Sequence, residues 1–277
     1  MPMMPSLRAS ASSQRPPRPW PALLAFLSAA LVALLPAAPA AAQGGFDATA
    51  FRTFATARAG EGVPVYWYST GELRSYPEGR LLALVEGFDT ARSMPDPERP
   101  GGIVQLSRKI YIYRDPATGA VLRAFDGRPV QPIAYPYQLI RYWLEGDRLR
   151  THVTQGSGER VQRIGPGGNA TARRQGDTLM VTAPLYLDMA LPSGARYQAF
   201  ENYDFFFTGR DGLRLSWLRY GDDALTGRPS IMHMVGWRVS RFEDLPEAMR
   251  RFVETEAPLW KAPPADMAEI ARLQAGG

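Results

Sequence analysis

The chain has 277 residues, 45% apolar and 21% charged, a balance that suits one large or two small globular domains. It has no cysteine and two histidines, His152 and His233, which excludes disulfides, thiolate metal sites and cysteine nucleophiles and argues against a polyhistidine zinc site. The formal charge of +5 overstates the basicity: residues 1–42 hold three arginines and no acid, and the remainder carries 29 basic against 27 acidic residues, too even a balance to point to nucleic acid.

The first stretch reads as a targeting segment. Arg8, Arg15 and Arg18 precede an apolar run, Trp20 to Leu35, and Ala40-Ala41-Ala42 offers a small-residue cleavage site before Gln43. This is the pattern of a Sec-type signal peptide over residues 1–42, cleaved near Ala42, so the expected location is periplasmic or secreted. The apolar run is shorter than the roughly 20 residues a spanning helix needs. No later stretch is apolar enough to cross, so no membrane span is expected after cleavage. Residues 43–277 are expected to form a single β-barrel-like domain with a helical extension over 242–277.

Asp47 to Ala59 places Phe51, Phe54 and Ala55 at helical spacing behind a candidate Asp47 N-cap, with Gly60 and Gly62 as the stop. This short helix is expected to lie across one end of a sheet. The period then changes to two. Val63–Thr70, Leu81–Ala91 and Ile103–Arg114 read as strands, and Asp115 to Gly119 as a turn, with Ala120–Phe125 returning. Tyr137–Leu144 and Leu149–Gln155 read as a hairpin around Glu145–Arg148. Val161–Ile164 and Leu179–Leu187 flank a glycine-rich loop, GPGGNATARRQGD.

Ala199 to Val239 reads as three consecutive antiparallel strands, the first two joined at Gly209-Arg210-Asp211-Gly212. It carries the densest aromatic run of the chain. Beyond it, Asp244 to Glu247 has the spacing of a capping box, Ala248–Glu256 is helical up to Pro258, and Ala265–Leu273 suits a last short helix. Strand after strand joined by Gly, Pro and Asp turns predicts a mainly all-β fold. The expected architecture is an antiparallel β-barrel or barrel-like sandwich with a short N-terminal helix and one or two C-terminal helices.

Alternation puts several polar residues on apolar faces. Glu86 shares a face with Leu82, Leu84 and Phe88; Arg108 with Leu106, Ile110 and Ile112; Glu201 with Tyr203, Phe205 and Phe207; Arg219 with Leu213, Leu215 and Trp217; His233 with Val235 and Trp237. Burial of an unpaired charge costs several kcal/mol, so these residues pair across strands or converge on a cavity. A slip of one residue would move any of them to the other face. Other motifs fail: Gly156-Ser157-Gly158 is no nucleophile elbow, Gly165–Gly168 lacks a phosphate-loop lysine, and Asp222-Asp223 is too short for a calcium loop. No metal or cofactor is expected.

Seven segments in order carry a resemblance. They are Val63–Tyr68, Leu82–Arg92, Ser107–Gly119, Glu201–Phe206, Trp217–Arg219, Met232–Arg238 and Phe242–Pro246. Together they resemble a bacterial family known as domain of unknown function number 1838, over nearly all of the chain beyond residue 42. The chain departs from the pattern at Asp126-Gly127-Arg128-Pro129 and in GDDALTGRPS after Arg219. Its matching charged positions are Glu86, Arg92, Arg108, Asp204, Arg219 and Arg238; with no activity assigned to the family, the resemblance implies no catalytic residue.

The expected function is binding of a small, partly apolar or aromatic ligand inside the barrel. Glu86, Arg108 and His233 would orient its polar end and Trp217 and Trp237 would contact its body, with Arg92, Glu201, Asp204, Arg219 and Arg238 as further candidate contacts. The alternatives are a metal-independent enzyme using Glu, His and Arg for acid–base chemistry in the same cavity, and an envelope interaction module with an exposed aromatic surface.

Overall fold

The computed structural model of the chain describes residues 45–156, 162–167, 170–190, 196–209 and 212–275. The expected leader, the centre of the Gly209–Gly212 turn, Ser157-Gly158, Val161 and Gly168 lie outside the described residues. Helix α1 (Ala48–Ala59) is followed by strands β1 (Val65–Ser75), β2 (Leu81–Pro95) and β3 (Ile103–Arg114). A two-residue ribbon, β4 (Ala124–Phe125) and β5 (Arg128–Pro129), interrupts the meander. It resumes with β6 (Ile133–Glu145), β7 (Arg148–Gln155), β8 (Gln162–Gly167), β9 (Thr171–Gln175), β10 (Thr178–Ala190), β11 (Arg196–Thr208), β12 (Gly212–Asp222) and β13 (Pro229–Val239). Helices α2 (Glu247–Glu256) and α3 (Met267–Gln274) end the chain, each preceded by a short 3-10 turn or an irregular segment.

Among the described residues, eleven strands form one antiparallel sheet in the order β8-β7-β6-β3-β2-β1-β13-β12-β11-β10-β9. The first and last strands, β1 and β13, pair from Tyr66 opposite Val239 to Ser75 opposite Ser230. The sheet therefore curls into a nearly closed barrel whose seam lies between β8 and β9, strands adjacent in sequence. Ring contacts cross the interior: Trp67 of β1 meets Phe205 of β11, and Tyr111 of β3 meets Trp217 of β12.

Helix α1 plugs one mouth. The Asp47 carboxylate accepts from the Ala50 N–H at 2.6 Å, and Gly60, at φ 71°, ends the helix where a side chain would be strained. Phe54 enters the barrel and meets Tyr142, Phe205 and Phe207 edge-on. The helix's C-terminal carbonyls are satisfied from the wall. Arg238 donates to Thr56 and Ala57 O, and the Trp67 indole donates to Arg58 O.

Three expectations are corrected. Ala120–Phe125 is no strand of the sheet; Val121 makes a single bridge to Arg114, because Gly119 and the Asp126-Gly127 turn leave too short a run to pair. The glycine-rich loop after Ile164 contains β9, whose Thr171–Gln175 pairs with Thr178–Thr182. Helix α2 is not capped by Asp244: that residue lies in the preceding 3-10 turn, paired with Arg241, and Pro246 stands at the N-cap.

The C-terminal segment covers the outside of β1–β3. Phe242, Leu245, Met249, Phe252 and Val253 pack on Tyr66, Tyr68, Phe88, Ile110 and Ile112, while Ile270 of α3 packs on Leu106 and Tyr137. The β3–β6 ladder shifts register around Arg108 opposite Pro136, a residue with no N–H to donate. The tail supplies the missing donors. The Trp260 indole donates to the carbonyls of Lys109 (2.8 Å) and Tyr135 (3.1 Å). Arg108 donates to Pro136 O (2.9 Å) and Ala262 O (2.6 Å), and pairs with Glu269.

This last pair makes the tail acid-sensitive. Partial burial alone would raise the Glu269 pKa, but the Ala265 N–H and Arg108 hold it below its usual value. A depressed carboxylate contributes stability that is present above its unfolded pKa and lost as pH falls through the folded one. Acidification through and below the normal carboxylate range is therefore expected to loosen α3 before the barrel. Hydrogen exchange would show faster exchange in 262–275, and Glu269→Gln should remove that pH dependence.

Candidate functional site

The barrel interior holds a cavity of about 690 Å³ that runs from Phe54 and Arg58 under the plug toward the opposite mouth, at Tyr135, Leu187, Tyr197 and Asp222. Its two sides differ. On β11 and β12, Trp217, Tyr203, Phe205 and Phe207 stack in sequence with interplanar angles of 8°, 10° and 9°. Period-two spacing along β11, and the register of Tyr203 opposite Trp217, produce this aromatic wall. The rest of the lining is largely aliphatic: Ile140, Leu149 and Val153 on β6 and β7, and Ala183, Leu185 and Leu187 on β10, next to the aromatic strand.

Polar groups enter at two levels. Near the plug, Asp89 of β2 lies directly opposite Trp67 of β1 and Lys109 of β3. Arg58 donates to Asp89 Oδ2 at 2.8 Å, and Lys109 Nζ lies 4.0 Å from Oδ1. Lys109 Nζ also sits 5.0 Å from the centre of the Trp217 ring, 5.7 Å from Tyr111 and 6.0 Å from Tyr203. Among the described residues its ammonium donates no hydrogen bond.

Nearer the opposite mouth, Glu201 and Arg219 are cross-strand partners 3.7 Å apart. Tyr203 donates to Glu201, and Arg219 also reaches the Tyr197 hydroxyl and Asp223 (3.3 Å). Burial, with Glu201 beside it, holds the Tyr203 phenol well above its usual pKa, and burial raises Tyr113, Tyr135 and Tyr197 too. These phenols are neutral donors at ordinary pH. Burial also raises Asp223, against the Leu225 N–H and Arg219. Gln138 and Gln155, joined at 2.7 Å, add a neutral amide pair. Hydrogen-bonding groups thus stand at both ends of an apolar slot.

The candidates named from the sequence divide between the faces. Glu201, Trp217 and Arg219 line the cavity, and Arg238 holds the plug. The others do not converge there. Glu86 accepts from Arg114 and Tyr68 on the outer face. Arg92 reaches Ala265 O at 3.5 Å, and Arg108 ties down the tail. Asp204 accepts from Thr182 and Asn202 at 2.7 Å each, outside. Trp237 packs edge-on to Tyr68, 5.1 Å away. His233 is exposed, 3.4 Å from Ser216 Oγ. The expected meeting of Glu86, Arg108 and His233 inside the barrel is thus corrected: all three have the outward parity.

The sequence reading missed Lys109, Asp89 and Arg58. A signal for Lys109 was present, for the chain has thirty arginines and two lysines. Among the described residues, no group of three or more His, Asp or Glu is clustered as metal ligands would be, and no helix is long and apolar enough to cross a membrane. Comparison with protein-family models, curated proteins and solved structures finds no match for this chain.

Proposed function

We propose that the protein binds a small, largely apolar and flat molecule inside the barrel, its body against Trp217, Tyr203 and Phe205 and its polar groups at Lys109 and at the Glu201–Arg219 pair. The observation that carries this reading is the cavity itself. About 690 Å³ lies within the range of small-molecule sites. Its walls are apolar on both sides, and charged side chains enter it from two levels. A core built only for stability would fill such a space, because voids forfeit packing energy. The aromatic run of β11 and β12 turns inward, which favours a ligand over an interaction surface. A signal-peptide leader would make this an exported binding protein.

Two measurements test the reading. Native mass spectrometry of the purified protein is expected to show a stoichiometric apolar compound, or the empty protein is expected to bind flat aromatic probes with quenching of tryptophan fluorescence. Ala183 of β10 lines the cavity as the cross-strand neighbour of Tyr203. Ala183→Trp should fill the slot and weaken probe binding about a hundredfold, the scale of the few kcal/mol that such a steric clash costs, while the thermal midpoint moves little. Full binding by that variant would retire the cavity as the site.

A further inference from the structure

We infer that Lys109 is a carbonyl-trapping amine, and that the ligand class is an apolar aldehyde or ketone held as an imine on its Nζ. This rests on the cavity-binding reading above. The chain's buried cations are otherwise arginines: Arg58, Arg108, Arg141 and Arg219 are all buried and all engaged in ion pairs. Thirty of the 32 basic residues are arginine. Of the two lysines, Lys261 is exposed and pairs with Glu254 at the surface. The other stands in the cavity wall, buried, its amine turned to three aromatic faces.

A guanidinium would pair with Asp89 better than an ammonium does, because it forks onto both carboxylate oxygens. The Lys109 amine instead stops 4.0 Å away, while Arg58 takes the other oxygen at 2.8 Å. What a primary amine offers and a guanidinium does not is loss of its proton and addition to a carbonyl.

The step balances without a co-reactant. The Lys109 ammonium first gives up a proton, Nζ adds to the carbonyl carbon, the carbinolamine oxygen takes that proton up and leaves as water, and a C=N bond replaces C=O. The iminium carries the one positive charge that the ammonium had. Asp89 is placed as its counter-ion, and the faces of Trp217, Tyr111 and Tyr203 stabilise the cation. Tyr203, a neutral donor, and Glu201 beside it stand on the same wall to move the proton that the carbinolamine oxygen needs. From Lys109 the slot continues toward the mouth opposite the plug, so the carbonyl sits at the plug end of the ligand and its apolar body points toward that mouth.

The test uses the whole protein and 2-naphthaldehyde as the probe, with borohydride to reduce any imine to a stable amine, followed by intact mass measurement and peptide mapping. One added naphthylmethyl group is expected on the Lys109 peptide, with about tenfold preference over Lys261 and the N-terminal amine, the smallest advantage that a positioned site should give. Lys109→Arg should abolish that adduct, with Lys109→Met as a second variant if the arginine does not fold, and 2-naphthalenemethanol, which cannot form an imine, should quench the tryptophans of the wild type. Alcohol binding by the wild type with no Lys109 adduct overturns the imine and leaves the cavity reading standing. An adduct confined to Lys261 or the N-terminus also overturns it. Failure of both probes to bind overturns the cavity reading and the imine with it.

Discussion

Replacing Asp89 with alanine is expected to cost the fold about 3–5 kcal/mol, the range for breaking a buried ion pair by removing one partner. The side chains of Arg58 and Asp89 are 9% and 7% exposed, so water cannot take the place of the lost carboxylate. The substitution strands two cations. Arg58 loses its charged partner, and the ammonium of Lys109 is left with aromatic faces alone. A loss of that size is a large part of the 5–15 kcal/mol that holds a typical domain together. Chemical denaturation should show the midpoint falling with the slope unchanged. Arg58 belongs to the last turn of α1, so the plug should loosen first, and hydrogen exchange over 48–60 should accelerate more than in β2 or β3. Asp89→Asn keeps the shape and loses the charge, and should fall between wild type and alanine. A loss under about 1 kcal/mol, the value of a solvated pair, would mean that water from the cavity reaches Arg58 and would remove Asp89 from its place as a buried counter-ion.

The architecture was legible because turns and period-two runs are local signals. Asp115 at the head of its turn, accepting from the Ala117 and Thr118 N–H groups, and the alternation of Glu201, Tyr203, Phe205 and Phe207 both appear in the structure as read. The direction in which each face points was not legible for β1–β3. From Val104 to Tyr113 every residue of β3 is buried, because the barrel interior lies on one side and the C-terminal helices on the other. Such a strand gives an apolar run on both parities. Arg108 among Leu106, Ile110 and Ile112 looked interior, yet that apolar set faces the helices and the neighbouring Lys109 faces the cavity. The same one-residue ambiguity put Glu86 in place of Asp89 on β2. Where no helix covers the outside, on β11 and β12, the aromatic parity is the inner one, so Glu201, Trp217 and Arg219 line the cavity, while Asp204, a candidate from the family resemblance, has the other parity and points out. His233 failed for another reason. Its neighbours Val235 and Trp237 are apolar but outward, Val235 being half exposed, and an apolar face is only a one-way guide to burial.

Deleting 242–277 should abolish the stable monomer rather than merely shorten it. The segment buries Phe242, Leu245, Met249, Phe252, Val253 and Ile270, each worth roughly 2 kcal/mol in apolar burial, a sum comparable to the whole stability of a domain. Its loss also uncovers Tyr66, Tyr68, Phe88, Ile110 and Ile112 as one apolar patch on the barrel's outside, the kind of surface that drives association. The polar side adds to this. Arg108, 3% exposed in the intact chain, would lose Ala262 O and Glu269, and the Lys109 and Tyr135 carbonyls would lose the Trp260 indole. The expected product is insoluble or oligomeric by size exclusion and lacks a cooperative thermal transition. Because Trp260 holds the backbone of Lys109 itself, Trp260→Phe is the finer probe. It keeps most of the packing and removes the indole donor, so it should cost about 1–2 kcal/mol for the freed carbonyls and loosen the lysine's position in the cavity. A truncated protein that stayed monomeric with an unchanged melt would show that the barrel stands alone, and that the buried outer face of β1–β3 does not hold it together.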